Sequence, residues 1–183
     1  ACKAPVLSLI ISDVTGDAAT HIASGPCAPD PTTCADALAV IDRYDLEVSS
    51  SIREILSTSN TANETPKPGD AVFNHVKNQV IATARQSLNA AAQYFHSMGI
   101  HSLILGDTVT GEAREIAKSY AALAREIRLH PQQNIKAPIA LLSGGETSVT
   151  IKGHGRGGRN TEFLLSLLIA LDGIENVYAL ACD

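Results

Sequence analysis

Short continuous apolar runs alternate along this chain with stretches in which apolar residues recur every three or four positions. The first run, Val6–Ile11, predicts a buried strand closed by the polar turn Ser12-Asp13-Val14-Thr15-Gly16-Asp17. Two segments dense in turn formers, Ile22-Ala23-Ser24-Gly25-Pro26 and Pro29-Asp30-Pro31-Thr32-Thr33, lead to a predicted helix over residues 33–44, with apolar positions Ala37, Leu38, Val40 and Ile41. Ser51 and Glu54 have the spacing of a capping box that opens a short helix. Residues 57–70 turn polar and carry Pro66, Pro68 and Gly69, which predicts a linker and a boundary between residues 64 and 65. Beyond it come a strand over 79–83, a helix over 85–98 stopped by Gly99, and a strand over 102–105. A turn at Thr110-Gly111 precedes a long helix over 112–130, whose stripe is Ile116, Tyr120, Leu123, Ala124 and Ile127. Strands alternating with helices predict an α/β fold, layered α/β/α with mostly parallel sheets. Residues 1–64 and 65–183 read as parts of two domains.

The most informative stretch is Leu141 to Asn160, LLSGGETSVTIKGHGRGGRN. An apolar run over 138–142 predicts a strand ending in Ser143-Gly144-Gly145-Glu146, and residues 147–151 alternate polar and apolar as a half-exposed strand does. The next seven positions hold four glycines, 153, 155, 157 and 158, with Lys152, His154, Arg156 and Arg159 threaded among them. Phe163, Leu164, Leu167, Leu168 and Leu171 then follow helical spacing, and Gly173 is a natural stop. Glycines let backbone N–H groups approach an anion, a helix N-terminus adds roughly half a positive charge, and arginine offers a planar fork. A phosphate or carboxylate site is expected here; the alternative is a solvated basic loop.

Composition narrows the class. The chain has 183 residues and 45% hydrophobic residues but only 4% aromatic ones, so its core is aliphatic, as in proteins with buried parallel strands. A net charge of −5 argues against nucleic acid as the main partner. Cys2, Cys27, Cys34 and Cys182 have no C-x-x-C spacing, which disfavours zinc and predicts a reducing, cytoplasmic setting. The chain begins close to one apolar run and stops at the end of another, residues 177–182, as expected of a segment of a longer protein. Oligomeric state is left open, with a homo-oligomer among the options.

Three function classes compete. Gly153, Gly155 and Gly158 spell a literal G-x-G-x-x-G after a strand and before a helix, and Asp183 ends the following apolar run, near where a ribose-binding acid would lie. That pattern predicts an NAD(P)H-dependent reductase. Against it, the preceding strand alternates Thr and Val, and Arg156 and Arg159 bring more charge than a backbone-held pyrophosphate requires. Phosphoryl transfer uses such charge, and Asp13 and Asp17 at the end of the first strand could bind a metal or a hydroxyl, or merely cap a turn. A non-catalytic nucleotide- or anion-binding module is the third class.

The segments SDVTGDAATHIASGP, PDPTTCADAL, ETPKPGD and LLSGGETSVTIKGHGRGGRNTEF together resemble the glycerate 2-kinase family, whose members often carry the label hydroxypyruvate reductase and end in a MOFRL-type domain. The resemblance covers essentially the whole chain. It implies ATP- and Mg²⁺-dependent transfer of a phosphoryl group to the 2-hydroxyl of D-glycerate, giving 2-phosphoglycerate, in a cleft between two α/β domains. By motif, Arg159 and Asp13 are the implied catalytic residues. Ser24, Gly25, Gly144, Gly145, Glu146, Thr147, Lys152, Arg156, Gly157, Gly158, Asn160 and Glu162 are the implied substrate and nucleotide contacts, and Asp13, Asp17 and Asp183 the metal candidates. Family members continue in both directions and carry a catalytic lysine upstream, so residues 1–183 alone are expected to be inactive. Ile81-Ala82-Thr83-Ala84-Arg85 departs from the family's I-G-S-N-R, which puts that strand end's contribution in doubt.

Overall fold

The computed structural model describes residues 4–58, 61–130 and 137–182. They form two compact units, residues 4–12 with 16–81 and residues 13–15 with 82 onward.

In the first unit β1 (Val6–Ile11) pairs with β2 (Val76–Ala82). β1 is not buried on both sides: Leu7, Leu9 and Ile11 are 59%, 59% and 68% exposed, because the strand's period of two turns every second side chain outward. α1 (Cys34–Arg43) starts at Thr33, whose hydroxyl accepts from the Asp36 N–H while the Asp36 carboxylate accepts from the Thr33 N–H. α2 (Ser50–Ser57) is capped by Ser49, two residues earlier than the Ser51–Glu54 pattern places it. Cys27, Cys34 and Cys182 are free thiols; burial and the neighbouring Glu64 push the Cys34 thiol up, away from reactivity.

The polar segment read as a linker is fastened to the PDPTT loop. Glu64 accepts from the Cys34 N–H (3.0 Å) and pairs with Lys67 (2.9 Å), the Thr65 hydroxyl donates to Asp30 (2.9 Å), and the Asp30 N–H donates to the Pro66 carbonyl (3.0 Å). The Lys67 ammonium also donates to the Thr32 carbonyl. The change from one compact unit to the other falls after Ile81.

Asp30 sets an acid limit on this knot. The Thr32 hydroxyl and N–H and the Thr65 hydroxyl hold its carboxyl at about 2, against an ordinary 3.8. A folded-state pKa below the unfolded one stabilises fully above the unfolded value and is lost as pH falls from 3.8 towards 2. Asp30→Asn should therefore lower the melting temperature at neutral pH and flatten its fall between about pH 4 and 2. Parallel acid limbs for parent and variant would show that the network does not hold in solution.

In the second unit β3 (His101–Glu112) runs parallel to β4 (Ile139–Ser148), with His101 opposite Ile139 and Glu112 opposite Ser148. β3 runs through the predicted turn at Thr110-Gly111. Its register shifts between Ile104 and Gly106 and between Gly106 and Val109 take up extra residues, so pairing resumes at Val109↔Gly145. β4 likewise passes through Ser143–Ser148 as one strand and ends before Ile151, which is 87% exposed. α3 (Ala84–Ser97) packs on both strands and begins with a reciprocal cap between Thr83 and Gln86, so the departure from I-G-S-N-R leaves an ordinary helix start.

Leu141, on one face of β4, joins Leu103 and Leu105 of β3 and Leu123 and Ile127 of α4 (Ala113–Leu129) around a cavity of about 170 Å³. Gly144, three residues on and so on the other face, lies beside Ala84 and Leu88 of α3. The sheet is thus layered between helices. α4 also presents Ala113, Ala117 and Ala121, at most 2% exposed, and the small side chains of Ala117 and Ala121 let α5 (Arg159–Leu171) pack close through Leu167 and Leu171. Tyr120 meets Phe163 edge-on, ring centroids 5.5 Å apart. Leu168, counted in the apolar stripe, is 68% exposed. Residues 177–182, predicted as a strand, join no ladder among the described residues; a strand needs a paired edge as well as an apolar run. Among the described residues no helix is long and apolar enough to cross a membrane.

Candidate anion site at the carboxyl ends of β3 and β4

Parallel strands carry their ligands beyond their carboxyl ends, where helix N-termini also gather. In the second unit that edge holds Glu112, Ser148, the first turns of α4 and α5, and the glycine-rich loop 149–158. Residues 151–158 are all exposed. The loop's two stems, by contrast, are tied down.

At the entry stem, Glu112 accepts from the Thr150 N–H and the Thr150 hydroxyl, each at 3.0 Å. These two bonds, then the Arg114 charge, hold the Glu112 carboxyl below its ordinary range. At the exit stem, the Arg159 guanidinium pairs with Glu146 of β4, and Arg114 of α4 pairs with Glu162 of α5 at 2.8 Å. The Thr161 hydroxyl accepts from the Gly158 N–H at 2.8 Å, and Ser166 donates to the Arg114 carbonyl at 2.9 Å. Sequence reading left Glu112 and Arg114 out of the site. Their signal was weak, because first-turn charges on a helix are common.

The glycines divide by what requires them. Gly145 has φ +139°, and a Cβ there would stand 2.2 Å from the Val109 carbonyl oxygen. The sheet itself therefore demands that glycine. At Gly153, Gly155 and Gly158 φ is not in the left-handed region, and an added Cβ would meet nothing within 4 Å. Nothing in the chain's own packing explains those three.

A family model described as "MOFRL family" matches residues 139–183, and one described as "Domain of unknown function (DUF4147)" matches residues 1–57. The chain is 44% identical to a protein of Agrobacterium vitis named "Putative hydroxypyruvate reductase", over all of this chain and 41% of that protein. It is 37% identical to a D-glycerate 2-kinase of Thermotoga maritima, over 95% of this chain and 39% of that protein. A crystal structure of glycerate kinase from Thermotoga maritima superposes with a TM-score of 0.72 at 37% identity, covering 94% of this chain and 39% of the other. Along nearly its whole length the chain is similar to proteins named glycerate 2-kinase and putative hydroxypyruvate reductase. It spans about two fifths of the length of these relatives.

The family's remaining motif residues lie as follows. Gly144, Gly145, Glu146 and Thr147 are in β4, and Asn160 and Glu162 in the first turn of α5. Lys152, Arg156 and Gly157 are in the exposed loop. Asp13 belongs to the second unit and Asp17 to the first, both exposed. Among the described residues no three His, Cys, Asp or Glu side chains gather around a cation position. Asp183 lies outside the described residues. In the first unit, Ala23, Ser24 and Gly25 are consecutive left-handed residues (φ 49°, 60° and 60°), and a Cβ on Gly25 would stand 2.6 Å from the Thr20 carbonyl oxygen. Gly25 is thus required by its own turn, while Ser24 is a strained, exposed non-glycine residue.

Proposed function

We propose that this chain supplies the glycine-rich loop side of a glycerate 2-kinase, which transfers the γ-phosphoryl group of ATP to the 2-hydroxyl of D-glycerate and yields 2-phosphoglycerate. The observation that carries the reading is the set of glycines at 153, 155 and 158, which no neighbour requires, interleaved with Lys152 and Arg156 beside the N-terminus of a 13-residue helix. A missing Cβ that packing does not demand leaves room for a ligand against backbone N–H groups. Lys152, Arg156 and Arg159 supply charge for phosphoryl oxygens, Arg159 through a fork that Glu146 orients. Glycerate's carboxylate makes the same demand for positive charge.

Asp13, an exposed carboxylate, would be a ligand to Mg²⁺, an ion that takes oxygen ligands and keeps several water and phosphate ones. When bound, it neutralises charge between the phosphoryl groups. Residues 1–64 would be the end of a first, Rossmann-like domain and 65–183 most of a second, with the protein cytoplasmic, as the free thiols support.

The reductase reading fares worse. A dinucleotide fingerprint sets its first glycine in the tight turn directly after the strand. Here Val149, Thr150, Ile151 and Lys152 separate the end of β4 from Gly153.

The test is glycerate-dependent ADP release by the full-length protein with Mg²⁺, run beside NADH oxidation with hydroxypyruvate. Phosphoryl transfer without NADH oxidation is expected. NADH oxidation alone would reverse the assignment, and neither activity, with phosphate still shifting the loop's NMR signals, would leave a binding module.

A further inference from the structure

Glu112 and Arg114 together touch both stems of the glycine-rich loop. Glu112 closes the end of β3 and holds the entry stem through two bonds to Thr150. Arg114, two residues on, holds the exit stem through Glu162, and its Nε stands 3.6 Å from the Glu112 carboxylate. That Nε is buried and makes no hydrogen bond, so the guanidinium is kept in place by its two carboxylate neighbours. The two residues sit where a regular strand becomes a regular helix. The exposed loop of 151–158 is therefore suspended from one rigid corner of the unit.

We infer that Glu112 and Arg114 are positioning residues, a two-sided clamp that fixes the separation of the loop's stems and so presents its amides and arginines in one arrangement. The inference rests on the anion-site reading of the loop. A loop whose ends are fixed loses less conformational freedom when it closes on phosphate, so the clamp acts on binding and turnover more than on folding. The depressed Glu112 carboxyl fits this role, since the charged form is the one that accepts both Thr150 bonds.

The experiment compares Glu112→Gln, Thr150→Val and the double variant in the full-length protein. Each is followed by amide exchange at Thr150 and in the loop without ligand, and by kcat/KM per folded molecule for ATP and glycerate. Glu112→Gln is expected to speed exchange at Thr150 and to lower kcat/KM by up to about 10²-fold, the cost of a misplaced reacting group. Thr150→Val should do the same to a smaller degree, and the double variant should lose no more than Glu112→Gln, since both break one contact. A purely structural role would lower the melting temperature and leave kcat/KM untouched. That result, additive losses, or unchanged Thr150 exchange would overturn the clamp. Should Glu112→Gln fail to fold, Thr150→Val decides, because it leaves the Glu112–Arg114 contact in place. If the parent shows no glycerate phosphorylation, the kinase reading fails on its own, and amide exchange still decides the clamp.

Discussion

Arg159→Lys is expected to lower kcat by about 10²- to 10³-fold, the usual cost of removing one positioned charge donor from a reacting centre. The substitution keeps a positive charge and removes the fork. A lysine ammonium is a flexible point charge, whereas the guanidinium is a planar fork with several donors in fixed directions, one of them paired with Glu146. Stability should barely move. The Arg159–Glu146 pair is 40% and 44% exposed, and such pairs contribute about 0–1 kcal/mol. Steady-state kinetics and a thermal melt on the same preparation separate the two effects. Near-normal turnover would remove Arg159 from the catalytic set; a collapsed melt with normal turnover per folded molecule would make it a structural cation.

Gly145→Ala should cost the second unit about 3 kcal/mol or more, by the combined expense of overpacking and backbone strain. The new Cβ would lie 2.2 Å from the Val109 carbonyl oxygen and 2.4 Å from its nitrogen. Those are ladder atoms of β3, held by the register on either side, and they cannot swing away as a side chain would. Gly155→Ala is the matched comparison, since its Cβ would meet nothing within 4 Å. It should leave unfolding in denaturant unchanged and weaken phosphate or ATP binding. Equal stability for Gly145→Ala and the parent would mean that β3 and β4 do not pair at Val109. Unimpaired binding in Gly155→Ala would return the loop to a solvated linker.

Local rules carried much of this protein. The 3.6-residue period and the stop at Gly99 located α1, α3, α4 and α5 to within a few residues, because a helix satisfies its hydrogen bonds within its own segment. The glycine loop, its basic residues and the helix behind it were legible for the same reason: they are contiguous. What the sequence could not announce was pairing between distant segments. Thr110-Gly111 and Ser143–Glu146 have the composition of turns, yet Thr110 pairs with Glu146, Gly111 with Thr147 and Ser143 with Gly106, and only such pairing makes either segment a strand. Residues 177–182 have the composition of a strand and no partner among the described residues. Burial along α4 also waited on the fold, since Ala117 and Ala121 outrank the larger residues where α5 lies against them. The stems of the loop followed the same logic. Glu112 and Arg114 lie about forty to fifty positions from Thr150 and Glu162, and an ion pair of that span leaves no period in the chain to read. Side-chain identity and local spacing determined the chemistry on offer, while tertiary structure decided which of those charges face one another.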